Sequence, residues 1–199
     1  MIDPNAVTDT ARTDAQLEEF LLFCVVVAGK NADQQARKLE AFLQGREPFA
    51  LIRSLRGSEL GGQLRRVKLG KYALLTRSFR SLAGSGLDLR QCAWADLAGL
   101  PGIGIKTAKF FVLHSRPSQM HGVLDTHVLA WMRGKDRRSR PGRLEIPRHS
   151  PQDPASYSFW ESLYFGLVCK THHQTCEAGA QPINWARVDL DLWKEQRSR

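Results

Sequence analysis

The amino-acid sequence predicts an all-α protein. Apolar residues recur every three or four positions through most of the chain, which is the period of an amphipathic helix. No stretch alternates apolar and polar residues for long enough to indicate a β-strand. With 199 residues, 42% of them hydrophobic and 25% charged, the chain has the composition of a globular protein and the length for one domain or two small lobes.

Local signals place the predicted helices in order along the chain. Thr13 or Asp14 can cap a first helix that ends near Gly29. Pro48 suits the first turn of a short third helix. A loop rich in Pro, Arg and Gly is predicted at residues 134–154. After the first helix, the predicted helices are 32–43, 49–55, 58–67, 71–83, 93–97, one that opens at 105, 125–132, 157–170 and 184–196.

The sequence gives no sign of a membrane span or of disulfides. The longest apolar run, residues 20–28, is far shorter than the roughly 20 residues that cross a bilayer. The N-terminus lacks the features of a signal peptide. We therefore expect a soluble, cytoplasmic protein whose cysteines, Cys24, Cys92, Cys169 and Cys176, are reduced thiols.

The charge of the chain predicts a polyanionic partner. Its formal net charge is +9, with a pI of about 9.8. Residues 53–80 hold eight basic side chains against one acidic, and residues 133–148 hold seven against two. Clusters of this kind are typical of nucleic-acid binding, because neutralised phosphates release their counterions. The alternative is a solvated basic surface that keeps the protein soluble.

A glycine-rich segment between two helices predicts a phosphate site. One helix ends at Gly99, and residues 100–104 (Leu-Pro-Gly-Ile-Gly) form a tight hairpin before the next helix opens at Ile105. The glycines permit positive φ and a close approach of a phosphate, which the first N–H groups of the next helix can bind. A glycine pair alone is weak evidence, since helix-to-helix turns often contain one. The residues predicted to contact DNA are Leu100, Gly102, Ile103, Gly104, Thr107, Arg65, Arg66, Lys68 and Lys71.

Two motifs together resemble one family. Residues 100–108 are Leu-Pro-Gly-Ile-Gly-Ile-Lys-Thr-Ala, and Leu-Asp-Thr-His-Val follows at residues 124–128. This pair resembles the helix-hairpin-helix (HhH-GPD) DNA glycosylases of the endonuclease III type. The resemblance implies a two-lobed helical fold with the hairpin at the cleft, DNA held across the cleft and the target base flipped out. It implies one lobe of about residues 30–125 and a second made of the N-terminal helix and residues 126–199.

The same resemblance assigns roles to two residues. Lys106 falls on the family's Schiff-base lysine and Asp125 on its catalytic aspartate. An amine in the first turn of a helix lies at the positive end of the helix dipole, which favours its uncharged, nucleophilic form. An aspartate at a helix start is held ionised by the N–H groups there and can accept a proton. Each residue has an ordinary alternative role, Lys106 as a phosphate contact and Asp125 as a helix cap.

The C-terminal region departs from endonuclease III, which carries four cluster-binding cysteines. Cys169 and Cys176 keep the first spacing, but Gly179 and Trp185 stand where the other two would be, so we expect no iron–sulfur cluster. The histidines at 172–173 could add zinc ligands, but adjacent residues point different ways on a helix, and buried thiols at a helix end are favoured. We predict no metal or cofactor, apart from a structural monovalent cation that the hairpin could hold.

Further segments resemble a narrower group. These segments and their order along the chain are similar to those of bacteriophage thymidine-hypermodification proteins. That group is the α-glutamyl/putrescinyl thymine pyrophosphorylase clade, also called amino acid:DNA transferases. The similarity covers residues 17–195. The segments are 20–31 (Phe-Leu-Leu-Phe-Cys-Val-Val-Val-Ala-Gly-Lys-Asn), 68–72 (Lys-Leu-Gly-Lys-Tyr), 77–79 (Arg-Ser-Phe), 110–117 (Phe-Phe-Val-Leu-His-Ser-Arg-Pro), 124–129 (Leu-Asp-Thr-His-Val-Leu) and 189–193 (Asp-Leu-Asp-Leu-Trp).

This resemblance implies a transfer reaction on double-stranded DNA. The expected substrate is a flipped 5-(pyrophosphoryloxymethyl)uracil, from which a small amine or amino acid displaces pyrophosphate. Asp125 would take a proton from the amine, and Lys106 would either contact the leaving pyrophosphate or act as a transient nucleophile. The further candidates for the substrate pocket are Lys30, Asn31, His114 and Arg116.

Two other functions stay open. The chain could be a DNA glycosylase/AP lyase of the endonuclease III type that excises a damaged or modified base, or a DNA-binding module with an inactive site. The presence of both Lys106 and Asp125 argues against the inactive module. A phage-encoded protein of this kind is expected in the cytoplasm of the host cell.

Overall fold

The computed structural model describes residues 1–135, 145–171 and 183–197. These residues form helices joined by loops, with no β-strand among them, so the all-α prediction is confirmed for the described part of the chain. The helices are α1 (Asp14–Val26), α2 (Ala32–Leu43), α3 (Pro48–Ser54), α4 (Gly57–Arg66), α5 (Tyr72–Gly84), α6 (Trp94–Ala98), α7 (Ile105–Ser115), α8 (Thr126–Lys135), α9 (Pro154–Thr171) and α10 (Trp185–Arg197).

Capping residues explain where the first three helices begin. At α1, the Thr13 hydroxyl accepts the Gln16 N–H at 3.3 Å, and the Gln16 side chain accepts the Thr13 N–H at 2.8 Å. This reciprocal capping box satisfies two N–H groups that the helix itself leaves unpaired. The Asn31 side chain caps α2 through a single hydrogen bond, accepting the Gln34 N–H at 3.0 Å, and Pro48 lies in the first turn of α3.

The chain divides into two compact units, Met1–Pro117 and Ser118–Arg199. In the first unit, α1 packs against α2, α3, α5 and α7. Every residue from 20 to 26 is buried, because an apolar helix needs cover on all sides. The N-terminal helix therefore groups with α2–α7, whereas the sequence-based division placed it with residues 126–199.

In the second unit, α8 packs against α9 and α10. An aromatic group from each helix meets there: the Trp131 and Tyr164 ring centroids are 6.1 Å apart, and those of Tyr164 and Trp185 are 6.2 Å apart. All three side chains are buried. Such tilted and edge-to-face pairs contribute to stability beyond their buried area.

Three of the four cysteines lie within the described residues. Cys24 and Cys92 are buried free thiols and Cys169 is half-buried, whereas Cys176 lies outside the described residues. The predicted loop at 134–154 begins later than expected, since α8 continues through Lys135. None of the helices described here has the length and hydropathy to cross a membrane.

Candidate functional site

The predicted hairpin forms between α6 and α7. The Leu100 N–H donates to the Leu97 carbonyl at 3.0 Å, and the Ile103 N–H donates to the Leu100 carbonyl at 3.2 Å. Gly102 takes a φ of +80°, a conformation that favours glycine. The Ile103 side chain is buried and so anchors the turn on the unit.

Packing against α5 gives Gly102 a second reason to be glycine. A Cβ at this position would lie 2.2 Å from the Ser78 Oγ and 3.0 Å from the Leu74 Cδ1. The sequence analysis gives two reasons for glycine in this hairpin, positive φ and the close approach of a phosphate. The contacts within the unit already require it, because no real Cβ comes so close to another atom.

The N-terminus of α7 has no side-chain cap. Gly104 is the N-cap residue, with extended backbone (φ −90°, ψ 168°) and no side chain to accept a hydrogen bond from the first turn. In that turn, Ile105 and Thr107 are buried and Lys106 is half-buried. The helix dipole and the unpaired N–H groups at such an end attract an anion. Thr107, a predicted DNA contact, is buried, so Lys106 is the side chain of the turn that solvent reaches.

The positive charge of Lys106 also acts on a thiol of α1. Burial raises the pKa of the Cys24 thiol, and the positive charges of Lys106 and Arg12 act against this rise. One turn further along α7, Lys109 is buried, with its Nζ 4.8 Å from the Trp94 ring centroid. The sequence analysis did not single out Lys109, because a cation that lies over an aromatic ring leaves no local signal.

Asp125 begins α8 as a helix cap. Its Oδ1 accepts the Val128 N–H at 2.8 Å, and its carbonyl accepts the Leu129 N–H at 2.9 Å. The side chain is half-buried. Asp125 is thus a helix cap, the alternative role that the sequence analysis gives it. The hydrogen bond from the Val128 N–H also fixes its carboxylate in one orientation.

Side chains outside α8 hold the segment that leads to Asp125. The Tyr157 hydroxyl donates to the Gly122 carbonyl at 2.9 Å and accepts the Leu124 N–H at 3.0 Å. A Glu161 carboxylate oxygen accepts the Gly122 N–H at 2.7 Å, and the Ser150 hydroxyl donates to the Leu124 carbonyl. Burial, with the nearby Glu161 carboxylate as a further cause, raises the pKa of Tyr157. Sequence reasoning missed this arrangement, since it saw Tyr157 only as the start of a helix.

His114, a predicted pocket residue, lies at the last turn of α7 and is fully buried. Its Nδ1 is 2.7 Å from the Thr8 hydroxyl, and its carbonyl accepts the Asp9 N–H and the Arg12 guanidinium, both at 3.1 Å. Arg12 also donates to the Val7 carbonyl at 2.6 Å and lies 4.0 Å from the centroid of a phenylalanine ring of α1. His114 and Arg12 therefore tie the N-terminal segment to α7, and the His114 ring is closed to solvent.

Arg116 and Asn31, also predicted pocket residues, have partners within the first unit. The Arg116 guanidinium donates to the Leu89 carbonyl at 3.0 Å and lies 3.4 Å from the Cys92 sulfur. Burial raises the pKa of the Cys92 thiol, and the Arg116 charge opposes the rise. Asn31 caps α2. These contacts give both residues a part in the fold.

The predicted basic contacts of residues 65–71 line α4 and the loop before α5. Arg65, Arg66, Lys68 and Lys71 are all exposed, and the Arg65 guanidinium is 5.4 Å from the Tyr72 ring centroid. Of the second basic segment, residues 136–144 lie outside the described residues. The fourth pocket candidate, Lys30, donates a hydrogen bond to the Leu69 carbonyl in the same loop.

In residues 1–135, 145–171 and 183–197, no group of three or more His, Cys, Asp or Glu side chains could hold a metal ion. The residues weighed for iron–sulfur or zinc binding fall mostly at 172–182, outside the described residues. Trp185 lies in the first turn of α10.

The described residues thus define an all-α protein with a bare helix N-terminus in its first unit and a capped, rigidly held aspartate in its second. No family model matches the chain, and no curated protein or solved structure is significantly similar to it.

Proposed function

We propose that this chain binds duplex DNA through the 100–104 hairpin and is an amino acid:DNA transferase of the helix-hairpin-helix type. Its substrate would be a flipped 5-(pyrophosphoryloxymethyl)uracil, and its second substrate a small amine or amino acid. The proposal combines the sequence resemblance with the local geometry of each unit.

The bare N-terminus of α7 is the observation that carries the proposal. Gly104 offers no side chain to the first-turn N–H groups, and Lys106 adds a positive charge in that turn. N–H groups at a helix start bind phosphate without reading bases. The exposed cations of residues 65–71 supply further sequence-independent attraction to a polyanion.

In the proposed reaction, the Asp125 carboxylate takes up the proton that the amine releases. The amine nitrogen attacks the exocyclic carbon of the base, the carbon–oxygen bond breaks, and pyrophosphate leaves with the bonding electrons. The ammonium proton passes to Asp125, which acts as a general base. The glycosidic bond stays intact, and Lys106 stabilises the charge that develops on the leaving group.

The test is direct analysis of the DNA product. Duplex DNA that carries 5-(pyrophosphoryloxymethyl)uracil is incubated with the protein and a set of amino acids and polyamines. Mass spectrometry of the nucleosides and an assay for released pyrophosphate are then applied. We expect amine-dependent pyrophosphate release and a thymidine derivative that is heavier by the added amine.

Borohydride trapping separates this reaction from that of a glycosylase/AP lyase. A lyase that uses Lys106 forms an imine with the sugar, which borohydride converts into a covalent protein–DNA adduct. We expect no adduct and no abasic site. Base excision with an adduct that disappears in Lys106→Ala, but not in the control Lys194→Ala, would establish the glycosylase instead. DNA binding without either reaction would leave an inactive module.

A further inference from the structure

Two loops of the first unit are joined by a reciprocal pair of lysine hydrogen bonds. The first loop, residues 27–31, connects α1 to α2, and the second loop, residues 67–71, connects α4 to α5. The Lys30 ammonium in the first loop donates to the Leu69 carbonyl in the second. The Lys71 ammonium in the second loop donates to the Ala28 carbonyl in the first at 3.3 Å. Two positive charges are thereby held at one junction.

Positive charges act on Lys30 at this junction. The charges that act on Lys30 are those of Lys71 and of Lys38 in α2, and both are positive. Partial burial, followed by repulsion from these two neighbours, lowers the pKa of Lys30. Like charges held together destabilise the free protein, and an anion bound among them removes the repulsion.

The backbone of the second loop is built around the same junction. Lys68, Gly70 and Lys71 have φ values of 56°, 75° and 49°, and such values are uncommon for lysine. A Cβ at Gly70 would lie 3.1 Å from the Lys30 Nζ, so glycine keeps room for the ammonium group. Lys71 is also the N-cap residue of α5, and its side chain makes no capping hydrogen bond.

We propose that Lys30 and Lys71 form a second phosphate-binding site. Ammonium groups are compact charges with three donors each, which suits the oxygens of a phosphate. Two donors of the site are already positioned by the loop carbonyls that they bind. The ligand is a phosphate group, from the DNA backbone or from free pyrophosphate, and its binding requires no turnover.

Glutamine variants test the site in two arms. Calorimetry follows the binding of inorganic pyrophosphate, and fluorescence anisotropy follows the binding of a short DNA duplex at several salt concentrations. The key variant is Lys71→Gln, because the Lys71 side chain is exposed, and Lys30→Gln is measured beside it. Urea unfolding of each variant shows whether the fold stays intact when one bond between the loops is lost. Lys194→Gln is the control, since it removes the same charge from an exposed position of α10.

We expect Lys30→Gln and Lys71→Gln to weaken phosphate binding by about threefold to tenfold relative to Lys194→Gln. If the phosphate comes from DNA, duplex affinity falls and the salt slope drops by about one. If it is free pyrophosphate, only the calorimetric arm changes. Should both variants match Lys194→Gln in both arms, the site is refuted and the lysines only join the loops. Neither arm requires catalysis, so this result is independent of the transferase assay.

Discussion

Helices α7 and α8 begin in two different ways. Before α7 stands Gly104, which has no side chain to cap the first turn. Before α8 stands Asp125, whose carboxylate accepts the Val128 N–H at 2.8 Å. Because the first N–H groups of any helix lack a partner within the helix, the bare end favours an anion from outside, whereas the capped end supplies its own. The same donor groups can thus either bind a ligand or orient a carboxylate.

The largest expected effect is on turnover, in the variant Asp125→Asn, which keeps the cap of α8 but removes the base. Asparagine caps a helix about as well as aspartate but cannot take up the proton, so we expect turnover to fall by about 10²–10⁴-fold with little loss of stability. Released pyrophosphate and urea unfolding measure the two quantities. The control is Asp153→Asn, since the Asp153 carboxylate accepts the Ala155 N–H at the start of α9 in a similar way. Full activity in Asp125→Asn would reduce Asp125 to a cap.

The second variant, Tyr157→Phe, removes hydrogen bonds to the segment that leads into α8. The variant removes the hydroxyl that bonds both Gly122 and Leu124. Buried backbone groups left without a partner cost about 1–3 kcal/mol each, so we expect the free energy of unfolding to drop by at least about 1 kcal/mol. Chemical denaturation measures it. Tyr164→Phe is the matched control, because the Tyr164 hydroxyl takes no part in these bonds, and an equal loss there would contradict the assigned role.

Gly104→Asp would make α7 begin as α8 does, with the smallest of the three effects. The backbone conformation of Gly104 is open to any residue. An N-cap aspartate stabilises a helix by a few tenths of a kcal/mol relative to glycine. The carboxylate would occupy the first-turn N–H groups and repel phosphate, so we expect duplex affinity to fall about tenfold at constant salt. Anisotropy with Gly104→Asn as the uncharged control measures this. Binding equal to wild type would show that the α7 N-terminus meets no phosphate.

Local signals were enough to predict the helices. The second helix was predicted at 32–43, where α2 lies, because Asn31 and the apolar spacing mark it within a few residues. The cap at Thr13 and the proline at Pro48 acted in the same way. The start of α9 was placed three residues late, since the prediction overlooked the first-turn preference of proline at Pro154.

The surroundings of the site residues could not be predicted, because their partners are distant in sequence. His114 meets Thr8 across 106 positions, and Lys30 meets Leu69 across 39. A hydrogen bond of this kind depends on the packing of whole helices, which no local pattern encodes. Gly102 shows the same limit: its turn conformation was foreseeable, but its contact with Ser78 of α5 was not.

An N-terminal truncation would act on α7 at its C-terminal end, away from the hairpin. Deleting residues 1–12 would remove the Thr8 hydroxyl and the Arg12 guanidinium, and His114 would lose these partners while remaining in an apolar environment. The last turn of α7 would then fray, although the hairpin lies at the opposite end of that helix. Expression variants and affinity tags should therefore leave residues 7–12 unchanged, since a shorter chain would lose the contacts that hold the C-terminal end of α7.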